Sequence, residues 1–274
     1  MTAKKILITG VSGLIGSTVY QRLIQEPKRY DVYGFSRRRV PSVRVPEGRD
    51  LQIPDENFHS GTVQDMAAIK KAVAGMDAVV HMAATWDRWD DILPHNLVGA
   101  YNLYQACQEA GVKRLVAAST IQVSDGQRRA EPYRSIAARE YENVPDDFAR
   151  VTSAEPAEPR NLYAASKVWA ESLARVYAHT SDLSCLCIRI GWVVAEDRPP
   201  NPNAVDIWCS QRDIAQLVER CIAAPEDLRF GIYYGMSKNR WNWVDLEAAR
   251  KQVGYEPQDS AEEFVAEGEE ESGP

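Results

Sequence analysis

The chain of 274 residues has no apolar segment near the roughly 20 residues that a membrane-spanning helix needs, so we expect no membrane partner. It has five cysteines, an odd and scattered set that argues against a disulfide framework. Its four histidines form no cluster with carboxylates at ligand spacing, so no metal site is predicted. A net charge of −7 argues against general nucleic-acid binding.

The start of the chain gives an expectation about location. Lys4 and Lys5 run directly into an apolar strand at residues 6–8, so a signal peptide would have to include the first core strand. Together with the unpaired cysteines, this pattern predicts a cytoplasmic protein.

Short apolar segments alternate with helical patterns through the first half of the chain, and the alternation returns after residue 160. Strands are predicted at residues 5–9, 31–35, 77–81, 114–118, 184–190 and 231–234. Helices are predicted at residues 14–25, 66–74, 96–110, 162–179 and 212–223. Apolar strands alternating with helices are typical of parallel sheets covered on both faces. The sequence therefore predicts an α/β fold with a Rossmann-like doubly wound parallel sheet and a small C-terminal substrate-binding portion.

Three segments define the expected domain organisation. Residues 1–190 are predicted to form mainly the dinucleotide-binding domain, and residues 191–260 mainly the substrate-binding portion, with a strand and helix returning to the main fold. Residues 124–160 mix charge and proline, which predicts an inserted loop with at most one short helix at 135–141. Residues 261–274 are expected to be a disordered acidic tail.

A glycine-rich turn follows the first strand. Gly10 permits a tight turn, Gly13 lets backbone N–H groups approach a pyrophosphate, and Gly16 permits close packing of helix on strand. In this strand–turn–helix context the spacing indicates a dinucleotide site.

The end of the second strand indicates which dinucleotide binds. An NAD site places a carboxylate there, on the ribose hydroxyls. Here Ser36 is followed by Arg37, Arg38 and Arg39, and a hydroxyl with guanidinium groups suits a 2′-phosphate. We therefore predict NADP in preference to NAD.

A tyrosine and a lysine, Tyr163 and Lys167, are four residues apart at the start of a predicted helix and so share one face. A nearby ammonium favours the phenolate, so we expect Lys167 to lower the pKa of Tyr163 and to fit it for proton transfer. Ser119 and Thr120 end a strand at the same edge of the sheet. Either hydroxyl is suited to hold a substrate oxygen during hydride transfer between a nicotinamide and a carbonyl or alcohol carbon.

The glycine turn, His81-Met-Ala-Ala84, Asn96-Leu-Val-Gly99-Ala-Tyr-Asn102, Ser119-Thr120 and Tyr163-x-x-x-Lys167 together resemble an extended short-chain dehydrogenase/reductase of the NAD-dependent epimerase/dehydratase family. The resemblance covers roughly residues 4–257 and implies an NAD(P)-dependent oxidoreductase that forms a homodimer. In that family the catalytic hydroxyl lies three residues before a valine, here Val123, which favours Thr120. The implied catalytic residues are Thr120, Tyr163, Lys167 and Asn96.

The resemblance and the motifs together assign two further groups of residues. The residues expected at the cofactor are Gly10, Ser12, Gly13, Leu14, Ile15, Gly16, Ser36, Arg37, Arg38, Thr62, Val63, Ala83, Ala84, Tyr163, Lys167 and Ile190. The residues expected at the substrate, a small carbonyl or alcohol compound, are Trp86, Ser119, Thr120, Gln122, Trp192 and Trp208.

Within the family the chain is most similar to the uronate dehydrogenases, but it departs from them where substrate is read. Trp86 and Trp192 stand where serines are expected, and the arginine expected to clamp the sugar carboxylate falls at or near Asn203. A pocket lined by indoles favours a larger or more apolar substrate.

Three alternatives to this general oxidoreductase stay open. One is a true uronate dehydrogenase, in which Arg198, or a loop arginine at 128, 129 or 134, replaces the clamp. Another is a nucleotide-sugar epimerase or dehydratase, disfavoured by the short C-terminal region and by Ile121-Gln122 after the hydroxyl. A non-catalytic NADP-sensing regulator is disfavoured because Tyr163 and Lys167 are retained.

Overall fold

A computed structural model of the protein describes residues 2–264. Its centre is a seven-stranded, all-parallel sheet with the strand order β3-β2-β1-β4-β5-β6-β7. The strands are β1 Lys4–Thr9, β2 Tyr30–Ser36, β3 Phe58–Ser60, β4 Ala78–His81, β5 Arg114–Thr120, β6 Ser184–Ile190 and β7 Phe230–Gly235. The α-helices are α1 Leu14–Leu23, α2 Met66–Val73, α3 Trp89–Ile92, α4 Gly99–Glu109, α5 Tyr133–Ala138, α6 Leu162–Thr180, α7 Gln211–Ala223 and α8 Glu247–Val253. The predicted doubly wound Rossmann-like fold is confirmed.

Alternate side chains of each strand enter two apolar cores on opposite faces of the sheet. In β1, Ile6 and Ile8 pack with α1, α7 and α8, whereas Leu7 packs with α2, α4 and α6. This is the expected consequence of a strand's period of two, and it explains why the strands read as continuous apolar runs. The strand order reverses between β1 and β4, which opens a crevice beyond the carboxyl ends of these strands. Within residues 2–264, no helix is both long and apolar enough to cross a bilayer.

Some elements differ from the sequence expectation. The predicted helix at 96–110 is preceded by α3 and a π-helical turn, Leu93–Val98, so helical structure begins at Trp89. Strand β3 was missed because it is three residues long and has no fully buried side chain. Helix α8 was missed because its seven residues have only two buried positions.

The segment at 124–160 is more structured than a loop with a single helix. It continues a 3₁₀-helical stretch, Ile121–Arg129, and then forms α5, two residues earlier than predicted, and a 3₁₀ turn, Tyr141–Asn143. Ile136 and Val151 pack against Trp243 in a third apolar core shared with the C-terminal region. The apolar residues that form this core are irregularly spaced, so no period revealed them.

The acidic tail is ordered at its start, which corrects the expectation of disorder for its first four residues. Ala261 is buried beside Trp208, and the ring of Phe264 packs edge-on against the Trp208 indole, with centroids 5.4 Å apart. These contacts fix residues 261–264 to the folded domain. The rest of the predicted tail, residues 265–274, lies outside the described residues.

Candidate active site

A cavity of about 1080 Å³ lies at the carboxyl ends of the strands, on both sides of the crevice between β1 and β4. Every residue that the sequence assigned to the cofactor lines it, from the glycine turn to Ile190 at the end of β6. Thr120, Tyr163 and Lys167 line the same cavity. The topology thus brings together motifs that are more than 150 residues apart in the sequence.

The glycine turn is shaped for a close backbone approach. Gly10 has a left-handed φ of 71°, and a Cβ there would lie 2.7 Å from the Ala83 nitrogen. A Cβ on Gly16 would lie 2.3 Å from the Gly10 carbonyl oxygen. Gly13 is the N-cap of α1 and has no side chain to cap the helix, so the N–H groups of the first turn face the cavity entrance without a side-chain acceptor. Free N–H groups at a helix N-terminus suit a pyrophosphate, so these residues fit a dinucleotide.

The arginine run after β2 divides in the structure. Arg37 and Arg38 line the cavity, whereas Arg39 turns away to bond the Asp55 carboxylate and the Ile53 carbonyl. The hydroxyl of Ser36 lies 2.5 Å from that of Ser12 in the glycine turn. The end of β2 therefore presents a hydroxyl and two guanidinium groups to the cavity.

Tyr163 and Lys167 stand on the first turns of α6, which Asn161 caps by accepting a hydrogen bond from the Ala164 N–H at 2.8 Å. The Lys167 ammonium donates to the Ala118 carbonyl at 2.9 Å and lies 5.7 Å from the centroid of the Tyr163 ring. Thr120 ends β5 opposite this helix and interacts with the Tyr163 hydroxyl. A hydroxyl, a phenol and a buried ammonium thus face one space.

The electrostatics of Tyr163 differ from the sequence expectation. Burial raises its pKa above the usual value, and only interaction with Thr120 and the positive charge of Arg44 act in the other direction. Lys167 is not among the groups found to act on Tyr163, so its predicted lowering of that pKa stays a prediction. Burial also lowers the pKa of Lys167, to about 8, because desolvation disfavours its ammonium.

Ser119 and Thr120 have different roles, although both line the cavity. The Ser119 hydroxyl donates to the Glu171 carboxylate at 2.6 Å, and that carboxylate also accepts two hydrogen bonds of 2.9 Å from Arg189. Tyr234 accepts from the same guanidinium at 2.9 Å. The Ser119 hydroxyl is therefore engaged behind the site, which leaves Thr120 as the better-placed partner for a substrate oxygen.

Asn96 does not line the cavity. Its amide accepts from the Thr85 N–H at 3.0 Å and donates to the Thr85 carbonyl at 2.7 Å and to the Ser166 hydroxyl at 2.9 Å. It lies in the π-helical turn, a feature that is frequent near functional sites. Asn96 therefore joins the segment before Trp86 to the helix that carries Tyr163, and the structure gives it a positioning role.

The residues predicted to contact substrate are only partly brought together. Trp86, Trp192 and Gln122 line the cavity, and the Gln122 side chain accepts a hydrogen bond of 2.7 Å from Asn161. Trp208 does not line it, because its side chain is fully buried against the C-terminal segment. Trp208 is thus a core residue, and its assignment to the substrate is wrong.

Sequence reasoning missed a cationic residue in the cavity wall, Arg44. Its guanidinium lies 3.8 Å from the centroid of the Trp86 ring. Of the described arginines considered as a replacement clamp, at 128, 129, 134 and 198, none lines the cavity. Arg128, for example, pairs with Asp206 at 2.9 Å. The proline- and arginine-rich composition of residues 37–55 was the only available signal for Arg44.

Comparisons with known proteins agree with this geometry. The model for the NAD dependent epimerase/dehydratase family matches residues 6–246. The chain is 29% identical over 273 residues to the NAD-dependent glucose-6-phosphate dehydrogenase of Haloferax volcanii, covering 96% of this chain and 97% of that protein. It is 29% identical over 265 residues to the uronate dehydrogenase of Pseudomonas putida, covering 96% and 87%.

A solved structure gives the same result at the level of the fold. A mutant of uronate dehydrogenase from Agrobacterium tumefaciens, complexed with NAD, superposes with a TM-score of 0.76 at 26% identity, covering all of this chain and 91% of that one. The similarity thus covers at least 96% of this chain and 87–97% of each of these dehydrogenases.

Proposed function

The chain belongs to the NAD-dependent epimerase/dehydratase family, and from this premise we propose that it oxidises a hydroxyl group of a sugar or sugar derivative, or reduces the corresponding carbonyl. It is an NAD(P)-dependent oxidoreductase, as are the dehydrogenases that it resembles over nearly its full length. The observation that carries the proposal is the meeting of Thr120, Tyr163 and Lys167 with the glycine turn in one cavity.

The side chains divide the work of the reaction. When bound, the nicotinamide accepts or supplies the hydride. Tyr163 exchanges a proton with the substrate oxygen, and the Thr120 hydroxyl holds that oxygen by a hydrogen bond. Lys167 is held by the Ala118 carbonyl beside the phenol and lines the cavity, where its ammonium would bind the ribose hydroxyls of the cofactor. Trp86 and Trp192 line the cavity and offer indole surface to the substrate.

The proposal is tested by nicotinamide fluorescence with a panel of aldoses, uronates, sugar phosphates and aromatic aldehydes, each with NAD and NADP. Turnover of at least one sugar or sugar derivative is expected. If the protein binds the cofactor but turns over only aromatic aldehydes, the proposed substrate class is wrong. If it turns over nothing in the panel, the proposed activity is wrong.

For the cofactor, we propose NADP in preference to NAD. The support is the set of Ser36, Arg37 and Arg38 at the end of β2, which offers two cations and no carboxylate to the adenosine ribose. The ratio of kcat/KM for the two cofactors measures the preference, and a tenfold preference for NAD would contradict it.

Uronate dehydrogenase is the second candidate, since the solved structures of such enzymes match this chain over its full length. The tryptophans at 86 and 192 distinguish it from the first candidate, because they line the cavity at positions where the resemblance to uronate dehydrogenases implies serines. A uronate that is turned over at least as fast as every neutral sugar would favour this second candidate.

We further propose a homodimer formed through α4 and α6. Large apolar side chains are exposed at Tyr101 on α4, at Trp169 and Val176 on α6, and at Val98 in the turn that leads into α4. For location we propose the cytoplasm, because all five cysteines are free and buried, as a reducing compartment permits.

A further inference from the structure

We infer that Arg44, stacked on Trp86, is the anion-binding residue of the substrate site, and that the preferred substrate carries a carboxylate or phosphate away from the reacting carbon. This inference rests on the proposed function and specifies its substrate class. A clamp of this kind comes from the loop after β2, not from the C-terminal region where the sequence comparison expected an arginine.

The loop that carries Arg44 is built into the domain, although its sequence shows no period. Val45, Leu51 and Ile53 are buried, the last two in the core around β1. Arg49 donates to the Thr18 hydroxyl at 2.7 Å and to the Gln211 side chain at 2.6 Å. These contacts hold the loop between α1 and α7, so its tip has a defined place at the cavity mouth.

The tip is also joined to the glycine turn. The Ser42 N–H donates to the Ser12 carbonyl at 2.8 Å, and the Val45 N–H donates to the Ser42 carbonyl at 3.0 Å. Arg44 lies inside this turn, its guanidinium stacks on the Trp86 ring beyond β4, and both residues line the cavity. The two residues therefore bridge the cofactor side and the substrate side of the crevice.

The charge of Arg44 is available to a ligand. Within residues 2–264, Arg44 forms neither a salt bridge nor a hydrogen bond, whereas several other arginines are paired with carboxylates. Two carboxylates, Asp87 and Glu196, line the same cavity but do not pair with it. Stacking on the indole fixes the orientation of the guanidinium and leaves its N–H donors free. The planar arrangement of these donors matches the oxygens of a carboxylate or phosphate.

Arg44 lines the same cavity as Thr120 and Tyr163. Its positive charge lowers the pKa of Tyr163, against the larger raising effect of burial, which agrees with this shared location. The pyrophosphate of a dinucleotide has its own donors in the first turn of α1. An anion bound by Arg44 is separate from the pyrophosphate site, so we assign it to the substrate.

The test compares acidic and neutral sugars of the same ring. Glucuronate and glucose 6-phosphate are each paired with glucose, and kcat/KM is measured for wild type, Arg44→Gln and Arg44→Lys. We expect Arg44→Gln to lower the ratio of kcat/KM for the acidic sugar to that for glucose at least about tenfold, equivalent to about 1.4 kcal/mol, because any effect through the ionisation of Tyr163 applies to both sugars. Arg44→Lys should recover part of the loss, because it keeps the charge without the fork.

A matched control and a binding measurement exclude other causes. Arg88→Gln removes an exposed arginine near the cavity that pairs with Asp90 and does not line it, and it should leave the acid-to-neutral ratio unchanged. Calorimetric titration of glucuronate and of glucose 6-phosphate into the enzyme with reduced cofactor reports acid binding without turnover. The same titration with cofactor alone should give equal affinities for wild type and Arg44→Gln.

Four outcomes would overturn the inference. Equal losses for acidic and neutral sugars, or a weaker cofactor affinity in Arg44→Gln, would assign the guanidinium to the cofactor phosphates. No effect of Arg44→Gln on either sugar would show that it binds no ligand group. If wild type oxidises glucose with no preference for the acids, the proposed function stands and this inference fails, whereas no turnover of any sugar removes the proposed function itself.

Discussion

The buried ion pair behind the active site gives a stability prediction that can be worked from the structure. Glu171 on α6 and Arg189 on β6 are 6% and 3% exposed, and they share two hydrogen bonds of 2.9 Å. Burial pulls the pKa of Arg189 down, but the bonds to Glu171 outweigh it and the net pKa is raised. The pair also holds the Ser119 hydroxyl, next to Thr120.

Replacing Glu171 by Gln keeps the shape but leaves the Arg189 guanidinium buried without a counter-charge. Removing one partner of a buried pair costs about 3–5 kcal/mol, so we expect a loss of about 4 kcal/mol in the free energy of unfolding. That is a large share of the stability of an ordinary domain, about 5–15 kcal/mol, and the variant should fold but unfold at much lower urea concentration. The double variant Glu171→Leu/Arg189→Met should be more stable than the single one, because no charge is left buried.

Urea unfolding followed by circular dichroism measures these changes. The matched control is Glu247→Gln, which removes an exposed carboxylate paired with Arg250 and should leave the midpoint unchanged. If Glu171→Gln unfolds at the wild-type midpoint, or if the double variant is the less stable of the two, the reasoning about an uncompensated buried charge is wrong.

Three further predictions concern the fold, the glycine turn and the dimer. Burial lowers the pKa of His81 to about 3, so below about pH 6.5 the unfolded chain binds a proton that the folded state does not bind. The free energy of unfolding therefore falls as pH drops, by about 2 kcal/mol at about pH 5. The variant His81→Asn should show a shallower dependence of unfolding on pH. Gly16→Ala forces a Cβ against the Gly10 carbonyl, so cofactor affinity measured by tryptophan fluorescence should fall at least about tenfold, and an unchanged affinity would contradict the tight-turn geometry. Trp169→Glu places a charge on the exposed apolar face of α6 and should give monomers in sedimentation, whereas an unaltered dimer would place the interface elsewhere.

Local patterns were sufficient for the elements that position the site. Strand β6 has the predicted bounds, Ser184–Ile190, because all seven of its side chains are buried and the run is uninterrupted. The glycine turn and the Tyr163–Lys167 spacing could be read for the same reason, since each depends on neighbours in sequence. The parallel order of strands then brings these motifs to one edge of the sheet.

Features that depend on distant contacts could not be read in this way. Trp192 and Trp208 are backbone partners in one β-bridge, yet Trp192 lines the cavity and Trp208 is buried by Ala261 and Phe264. The raised pKa of Tyr163 follows from burial, which spacing does not report. Arg44 reaches the site because Leu51 and Ile53 anchor its loop in the core around β1.

The central claim is that Tyr163 transfers the proton in an NAD(P)-dependent oxidation, and Tyr163→Phe tests it most directly. With the best substrate of the panel, we predict that kcat falls at least about 100-fold, since the variant keeps the ring and loses only the hydroxyl. Cofactor affinity, titrated in the same preparation, should equal that of wild type. A variant that binds cofactor normally and turns over substrate at the wild-type rate would contradict the assignment of this cavity as the catalytic site.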